Sequence, residues 1–453
     1  SRSLAILRGS VEPVSTSTFA CFLTKWQYCG QRLNGVDGVY TALEQLNGVE
    51  MPASTWETLV LPARVADYEP SMLDELVTNG EIRWVGSGAI GARDGWVRFF
   101  AAGAQVRHTP AEDSHRTELE QAILDELASR GALFAGALLD GLGGRGLSSA
   151  AAVLADAIWA LVWAGLVTSD SVAALLARSR GGRGVQKTQR VRPRGRALTR
   201  RNLVGLSRAR SGSAGQRGGN AGPIEPSLSG RWSLTEEQGL GETTDGAATS
   251  WAVEMLERYG IVTRGAVRAE QFPGGFAQAY RLYSDFEMAG TARRGYFVQG
   301  LGGAQFAATG AVDQLRATDD DLRLESRHHV AVALAATDPA NPYGAALEWP
   351  EVLGEGGDPK RNPGAIVVMV DGKPVFYLER GGRTALSDPS APDLVREVGA
   401  KELVRTVRRG DLATFTIEKV NGKPVRQREW LQDLANAGFA EVPRGVTLRR
   451  RIH

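Results

Sequence analysis

No run of apolar residues in this chain approaches the ~18–20 that a membrane-spanning helix needs. Cysteine is nearly absent. The two present, Cys21 and Cys29, fall on one helix-like stretch at a spacing that suits neither a disulfide framework nor a zinc site, so reduced thiols of a cytosolic protein are expected. Histidine is as scarce: His108, His115, His328, His329 and His453 form no H-E-x-x-H or comparable ligand spacing, and no metal centre is expected. Adjacent His328 and His329 would point to opposite faces of a strand. A nucleotide-binding G-x-x-x-x-G-K-[ST] is missing too. Its nearest approach, GGRGVQKT at 181–188, carries Gln186 where glycine is required and follows no apolar strand, so no ATP site is expected in this chain. Lysine is rare, 7 against 46 arginines, a bias that a GC-rich genome produces without any phosphate recognition. No charged–apolar–small leader opens the chain, and SRSLAILRG reads as the interior of a longer polypeptide.

What is present suffices for several soluble cores. The chain has 453 residues, 43% of them hydrophobic, where a domain takes roughly 150 residues. The net charge of +2 hides its distribution: residues 178–210 hold twelve Lys/Arg and no acid, leaving −10 on the remainder. Such a tract reads as a solvated spacer or as a segment drawn to polyanions by counterion release.

The pattern predicts an α+β chain of tandem winged-helix modules followed by a C-terminal β-barrel-like domain. Residues 1–110 form the first winged helix. STFACFLTKWQYCG, GVDGVYTALEQLNG and PASTWETLVLPARV have apolar residues at helical spacing, MLDELVTNG ends at Gly80, and GEIRWVGSGAIGARDGWVRFF reads as a hairpin with Arg93 at a free tip. Residues 111–177 form a related helical module with a degenerate wing, because TSDSVAALLARSR reads as helix. Residues 178–230 are a basic Gly/Arg/Ser-rich linker. Residues 231–327 repeat the first module, with TARRGYFV and GLGGAQFA as its ribbon after Gly290. Residues 328–453 change period to strands, with turns at Asp371–Gly372 and Asn421–Gly422, and form the barrel-like domain.

A winged helix places one helix in a groove while its wing reaches the backbone. The candidate nucleic-acid contacts are therefore Arg83, Arg93 and Arg98 in the first module and Arg281, Arg293 and Arg294 in the third. The competing reading is a solvated or inter-module face. Trp84, Trp96, Tyr296 and Phe297 could stack on bases, although alternating strand positions favour core for most of them.

These stretches, with LVLPARVADYEPSMLDEL, LAATDPANPYGAALEWP and VVMVDGKPVFYLERGGRTAL, resemble the C-terminal region of the bacterial large helicase-related (Lhr) ATP-dependent helicases in their actinobacterial long form. The resemblance covers nearly everything outside the basic tract. It implies winged helices ending in a β-barrel, a layout similar to AlkZ-type DNA glycosylases. It implies a DNA-repair role, with 3′–5′ motor domains elsewhere that use ATP and Mg. It further implies single-stranded DNA or an RNA–DNA hybrid as partner, association with the protein's own helicase core, homo-oligomers (a tetramer among the arrangements), and a cytoplasmic, nucleoid-associated setting. No cofactor is implied for this chain. Uracil-glycosylase activity in relatives implies an acidic residue near the chain end, but VPRGVTLRRRIH holds none, no Gln-x-Gln occurs, and Asp411 and Glu441 are the nearest candidates. The alternatives are thus a uracil or damaged-base glycosylase and a purely structural oligomerisation module.

Overall fold

The computed structural model describes residues 12–30, 32–107, 116–147, 150–179, 225–235, 244–302, 304–324, 328–354, 356–410, 412, 415–427 and 430–448. The ribbons expected after Gly80 and Gly290 are both there. In the first unit, helix Gly35–Gln45 leads to the short strand Met51–Pro52, the helical segments Ala53–Thr55, Trp56–Val60 and Leu61–Arg64, helix Pro70–Thr78, and the hairpin Ile82–Ile90 and Asp94–Ala101. Asp94–Ala101 is the central strand, pairing antiparallel with both others. Apolar residues at alternate strand positions turn Trp84, Val97 and Phe99 inward, and Trp56 meets Phe99 edge-on at 5.0 Å.

The hairpin does not stand free. Its outer face lies on helix Ala151–Trp163 of the second unit, and one apolar core runs through both units. A Cβ on Gly86 would meet the Val162 carbonyl oxygen at 2.3 Å, and one on Gly95 the Trp163 ring at 2.4 Å, so glycine is what permits the approach. The Thr168 hydroxyl donates to the Trp84 carbonyl (2.6 Å), and Arg178 donates to the Ala92 carbonyl at the tip (3.2 Å). Helix Pro70–Thr78, the groove-entering element of a winged helix, is also engaged: Asp74 accepts from the Ser171 hydroxyl and the Val172 amide.

The second unit has a complete three-stranded sheet, which corrects the expectation of a degenerate wing. Ala173–Ser179 is helical as its sequence suggested. The missing strand is Arg231–Leu234, beyond the basic tract, and it lies between Leu133–Phe134 and Val167–Ser169. Trp232 on that strand is buried against Trp159 at 5.7 Å, so burial of one large ring fixes a strand that local pattern did not mark. Of the expected linker 178–230, residues 180–224 lie outside the described residues.

The third unit runs from helix Thr244–Tyr259 through Ile261–Val262, Arg264–Ala269 and Gly275–Met288 to the ribbon Ala292–Gly295 and Gln305–Ala308; helix Ala311–Arg323 follows. The last unit holds two sheets, and no closed barrel forms among the described residues. Its six-stranded sheet runs Ala331–Ala335, Ile366–Val370, Lys373–Leu378, Thr384–Ser387, Lys419–Val420, Lys423–Pro424. The first and last of these strands are edges that do not pair with each other. Helix Asp393–Arg409 packs on the sheet, and Phe415–Ile417, Gly445–Leu448 and Ala440–Val442 form a separate small sheet sharing that core. The expected turns are present, with left-handed φ of 52° at Asp371 and 77° at Gly372, and 49° and 72° at Asn421 and Gly422, as a two-residue type I′ connection requires.

Buried arginines join the units. Arg64 of the first unit and Asp338 of the last are both wholly buried and form a bidentate pair, 2.9 Å at each oxygen. Arg64 also donates to Gln27 Oε1 and the Val60 carbonyl. Cys29 lies beside this pair; burial pushes its thiol up to about 12, with Asp338 adding and Arg64 opposing. Asp338→Ala would leave the Arg64 charge buried and alone. The expected loss in urea unfolding is about 3–5 kcal/mol, with the Arg64→Met/Asp338→Leu double variant recovering much of it. Equal stability of the single and double variants would contradict this assignment.

Candidate nucleic-acid interface

The third unit is built to leave one face open. Thr263 caps helix Arg264–Ala269 by accepting from the Ala266 amide (3.2 Å). Helix Gly275–Met288 follows, its buried face carrying Ala279 and Tyr283. Tyr283 packs on Phe306 of the ribbon at 5.2 Å and donates to the Ala252 carbonyl, which seats the helix against Thr244–Tyr259. The opposite face carries Arg281, Asp285 and Met288, one turn apart and all exposed, Met288 at 81%.

On the ribbon, Ala292–Gly295 is an edge strand, paired only with Gln305–Ala308. Arg293 is exposed. Among the described residues neither it nor Arg281 has an ion-pair or hydrogen-bond partner. Arg294 differs: its Nε lies 3.2 Å from Glu287, and it donates to the Tyr280 hydroxyl at 2.7 Å. Its charge is largely satisfied locally.

The first unit's arginines are placed otherwise. Arg83 is half-buried and donates to the Ala104 carbonyl. Arg98 pairs with Glu50 at 3.0 Å and also donates to the Arg107 carbonyl. Arg93 is exposed at the tip that Arg178 ties to the second unit. Of the four aromatic candidates, Trp84 and Phe297 are core and Trp96 is half-buried; Tyr296 stands out at 45% exposure. Arg293 and Arg294 are adjacent in sequence, yet among the described residues one is paired and the other is not, so local pattern does not separate them.

A cleft of about 630 Å³ opens beside the same wing, lined among others by Gln299, Asp319, His329, Asp371 and Asp388. His329 Nδ1 lies 2.6 Å from Asp371 Oδ2, and Asp371 Oδ1 accepts from the Val330 amide. His329 precedes strand Ala331–Ala335, so the two adjacent histidines are not strand residues as expected. Glu441 is exposed on strand Ala440–Val442, away from this cleft, and Asp411 lies outside the described residues. Among the described residues no group of three or more His, Cys, Asp and Glu is arranged to hold a metal ion, and no helix is long and apolar enough to cross a membrane.

The open face is held in place by Arg258, which reaches from Thr244–Tyr259 to the Asn47 carbonyl of the first unit (2.6 Å) and pairs with Glu270. Burial alone would raise the Glu270 carboxyl, but the Arg258 charge and bonds from Arg258, Trp251 and Tyr259 outweigh it, so it titrates below its ordinary 4.5. A carboxyl lowered on folding stabilises above its unfolded value and loses that contribution as pH falls through the folded one. Glu270→Gln is expected to cost of the order of 3 kcal/mol at pH 7 in urea unfolding and to flatten the decline in stability below pH 4.5. An unchanged acid limb would contradict this.

Comparison with known proteins agrees with this architecture. Winged-helix domain profiles of the large helicase-related protein match residues 14–102 and 241–327. A protein named "Lhr helicase/ probable uracil glycosylase" from Mycolicibacterium smegmatis (strain ATCC 700084 / mc(2)155) is 43% identical over 460 residues, covering 99% of this chain. The "Lhr helicase/uracil glycosylase" of Escherichia coli (strain K12) is 38% identical over 474 residues, covering 98%. The chain spans 29% of the length of each of these relatives.

Proposed function

The chain belongs to the large helicase-related family as part of its winged-helix region, and from that premise we propose that it is the accessory region with which such a helicase holds nucleic acid. The third unit makes the contact, the first and second units form scaffold, and ATP and Mg serve the motor domains. The partner is single-stranded DNA or an RNA–DNA hybrid, presented by the protein's own helicase core in a DNA-repair setting, and copies of the region assemble into homo-oligomers. One observation carries the reading: Arg281 and Arg293 are exposed and, among the described residues, unpaired, on the two elements that a winged helix uses to enter a groove and track the backbone. Two of the three first-unit arginines support scaffold instead, since Arg83 and Arg98 are engaged by Ala104, Glu50 and Arg107. In fluorescence anisotropy at several salt concentrations, Arg281→Ala/Arg293→Ala is expected to lower affinity for a single strand. The log–log salt slope should flatten by about 0.7 for each phosphate no longer neutralised. Unchanged affinity and slope would refute the proposal.

A second reading, base excision, is supported by the cleft beside the wing and by the glycosylase in both relatives' names. In this reading His329 donates its Nδ1 proton to Asp371, which leaves Nε2 as the acceptor. It would take a proton from a water attacking C1′ of a flipped deoxyuridine, the C1′–N1 bond breaking so that its electron pair leaves with uracil as the N1 anion. A uracil-containing oligonucleotide should then give alkali-sensitive cleavage that His329→Ala and Asp371→Asn each reduce at least about a hundredfold. No cleavage by the unaltered chain, or cleavage that survives both substitutions, would remove this reading.

A further inference from the structure

Tyr296 is 45% exposed, yet its position is fixed. Its hydroxyl accepts a hydrogen bond from the Gly300 amide at 2.9 Å, which closes the start of the wing loop on itself. The residues that follow it are anchored from beneath. Phe297 and Val298 are core, and both their amides donate to the side-chain oxygen of Gln305, each at 2.9 Å. The Gln305 amide nitrogen donates in turn to the carbonyls of Val298 and Gly302, and Gln305 is wholly buried. From the other side, the segment at Val14 is stitched to the loop: the Val14 amide donates to the Phe297 carbonyl and the Gln299 amide to the Val14 carbonyl.

An ordinary surface tyrosine rotates freely and loses that freedom on binding. Here the backbone is clamped and the far end of the ring is tied down, so the ring loses little more when something lies on it. Three residues before it on the same chain is the exposed Arg293. From this arrangement we infer that Tyr296 is a stacking site for an unpaired nucleobase, so that the wing holds a single strand in preference to a closed duplex. A base inside a duplex has both π-faces covered by its neighbours, and only an unstacked base can lie flat on an aromatic ring. The ring also explains why the wing needs its clamp: a stacking platform on a mobile loop would lose affinity to ordering. This inference rests on the nucleic-acid reading above, narrows its partner to the single strand and names the residue that selects it.

The test uses the full 453-residue chain, a labelled single strand, a blunt duplex of the same sequence, and a single strand carrying 2-aminopurine. Tyr296→Ala should weaken single-strand binding about tenfold or more while changing duplex binding less than about twofold, and Tyr296→Phe, which keeps the ring, should stay within about threefold of the unaltered chain. Quenching of 2-aminopurine should accompany binding by the unaltered chain and Tyr296→Phe and be absent with Tyr296→Ala. The salt slope should not change with Tyr296→Ala, because no charge is removed. Equal losses on both substrates, no loss on the single strand, or no quenching by the unaltered chain would overturn the stacking site. If Arg281→Ala/Arg293→Ala lowers affinity and Tyr296→Ala does not, stacking falls and the nucleic-acid reading stands. If neither variant changes binding, or the unaltered chain binds neither substrate, both fall.

Discussion

One buried ion pair fixes how the modules sit together. Arg64 and Asp338 are both wholly out of water, and each guanidinium nitrogen that faces the carboxylate is 2.9 Å from one oxygen. Removing two such charges from solvent is unfavourable, and their attraction offsets it only when the geometry is right. A slightly rotated last unit would keep most apolar contacts but leave a buried cation facing nothing. The pair therefore acts as a registration device more than as a source of net stability. Arg361 works on the same loop from the other side, donating to the carbonyls of Thr337, Asp338, Asn341 and Tyr343. The loop that carries Asp338 is thus rigid before it meets Arg64.

The same arrangement recurs between the third unit and the first, where Arg258 reaches the carbonyls of Gln45 and Asn47 while Glu270 balances its charge. Trp26 adds a bond to the Glu257 carbonyl. Arginine suits these sites because its planar, multi-donor head serves several acceptors at once and holds its charge when buried. The abundance of arginine in the sequence is thus partly a matter of joints. The exposed Arg281 and Arg293 are a minority drawn from the same pool, and only three-dimensional context distinguishes them.

Much of this was legible in the sequence. Helical spacing, the aromatic alternation around Trp84 and Phe99, and the Asp371–Gly372 and Asn421–Gly422 turns are local signals, and local physics produces them. Four features were hidden for a common reason. The strand Arg231–Leu234 belongs to a sheet whose other members lie far upstream, and its pairing is decided by where Trp232 finds a dry pocket. Closure of a sheet depends on edge strands meeting, which residue pattern does not encode; Ala331–Ala335 and Lys423–Pro424 do not meet. Of the candidate site, the wing and helix of the third unit could be named in advance. The pairing of Arg294 with Glu287, and the tethering of Tyr296, depend on distances between residues that only folding brings together.

The second unit's sheet has a consequence for the basic tract. Val167–Ser169 and Arg231–Leu234 are hydrogen-bonded neighbours, so the chain between them leaves and returns at the same place. Helix Ala173–Ser179 follows the first of these strands and the turn Pro226–Leu228 precedes the second, and Leu175 and Leu228 on them are buried in one core. The entropy of closing such a loop grows only logarithmically, about 0.6 kcal/mol for each doubling. Length added between Ser179 and Pro226 is therefore expected to cost the module little, because both flanks of that span are already anchored in its core.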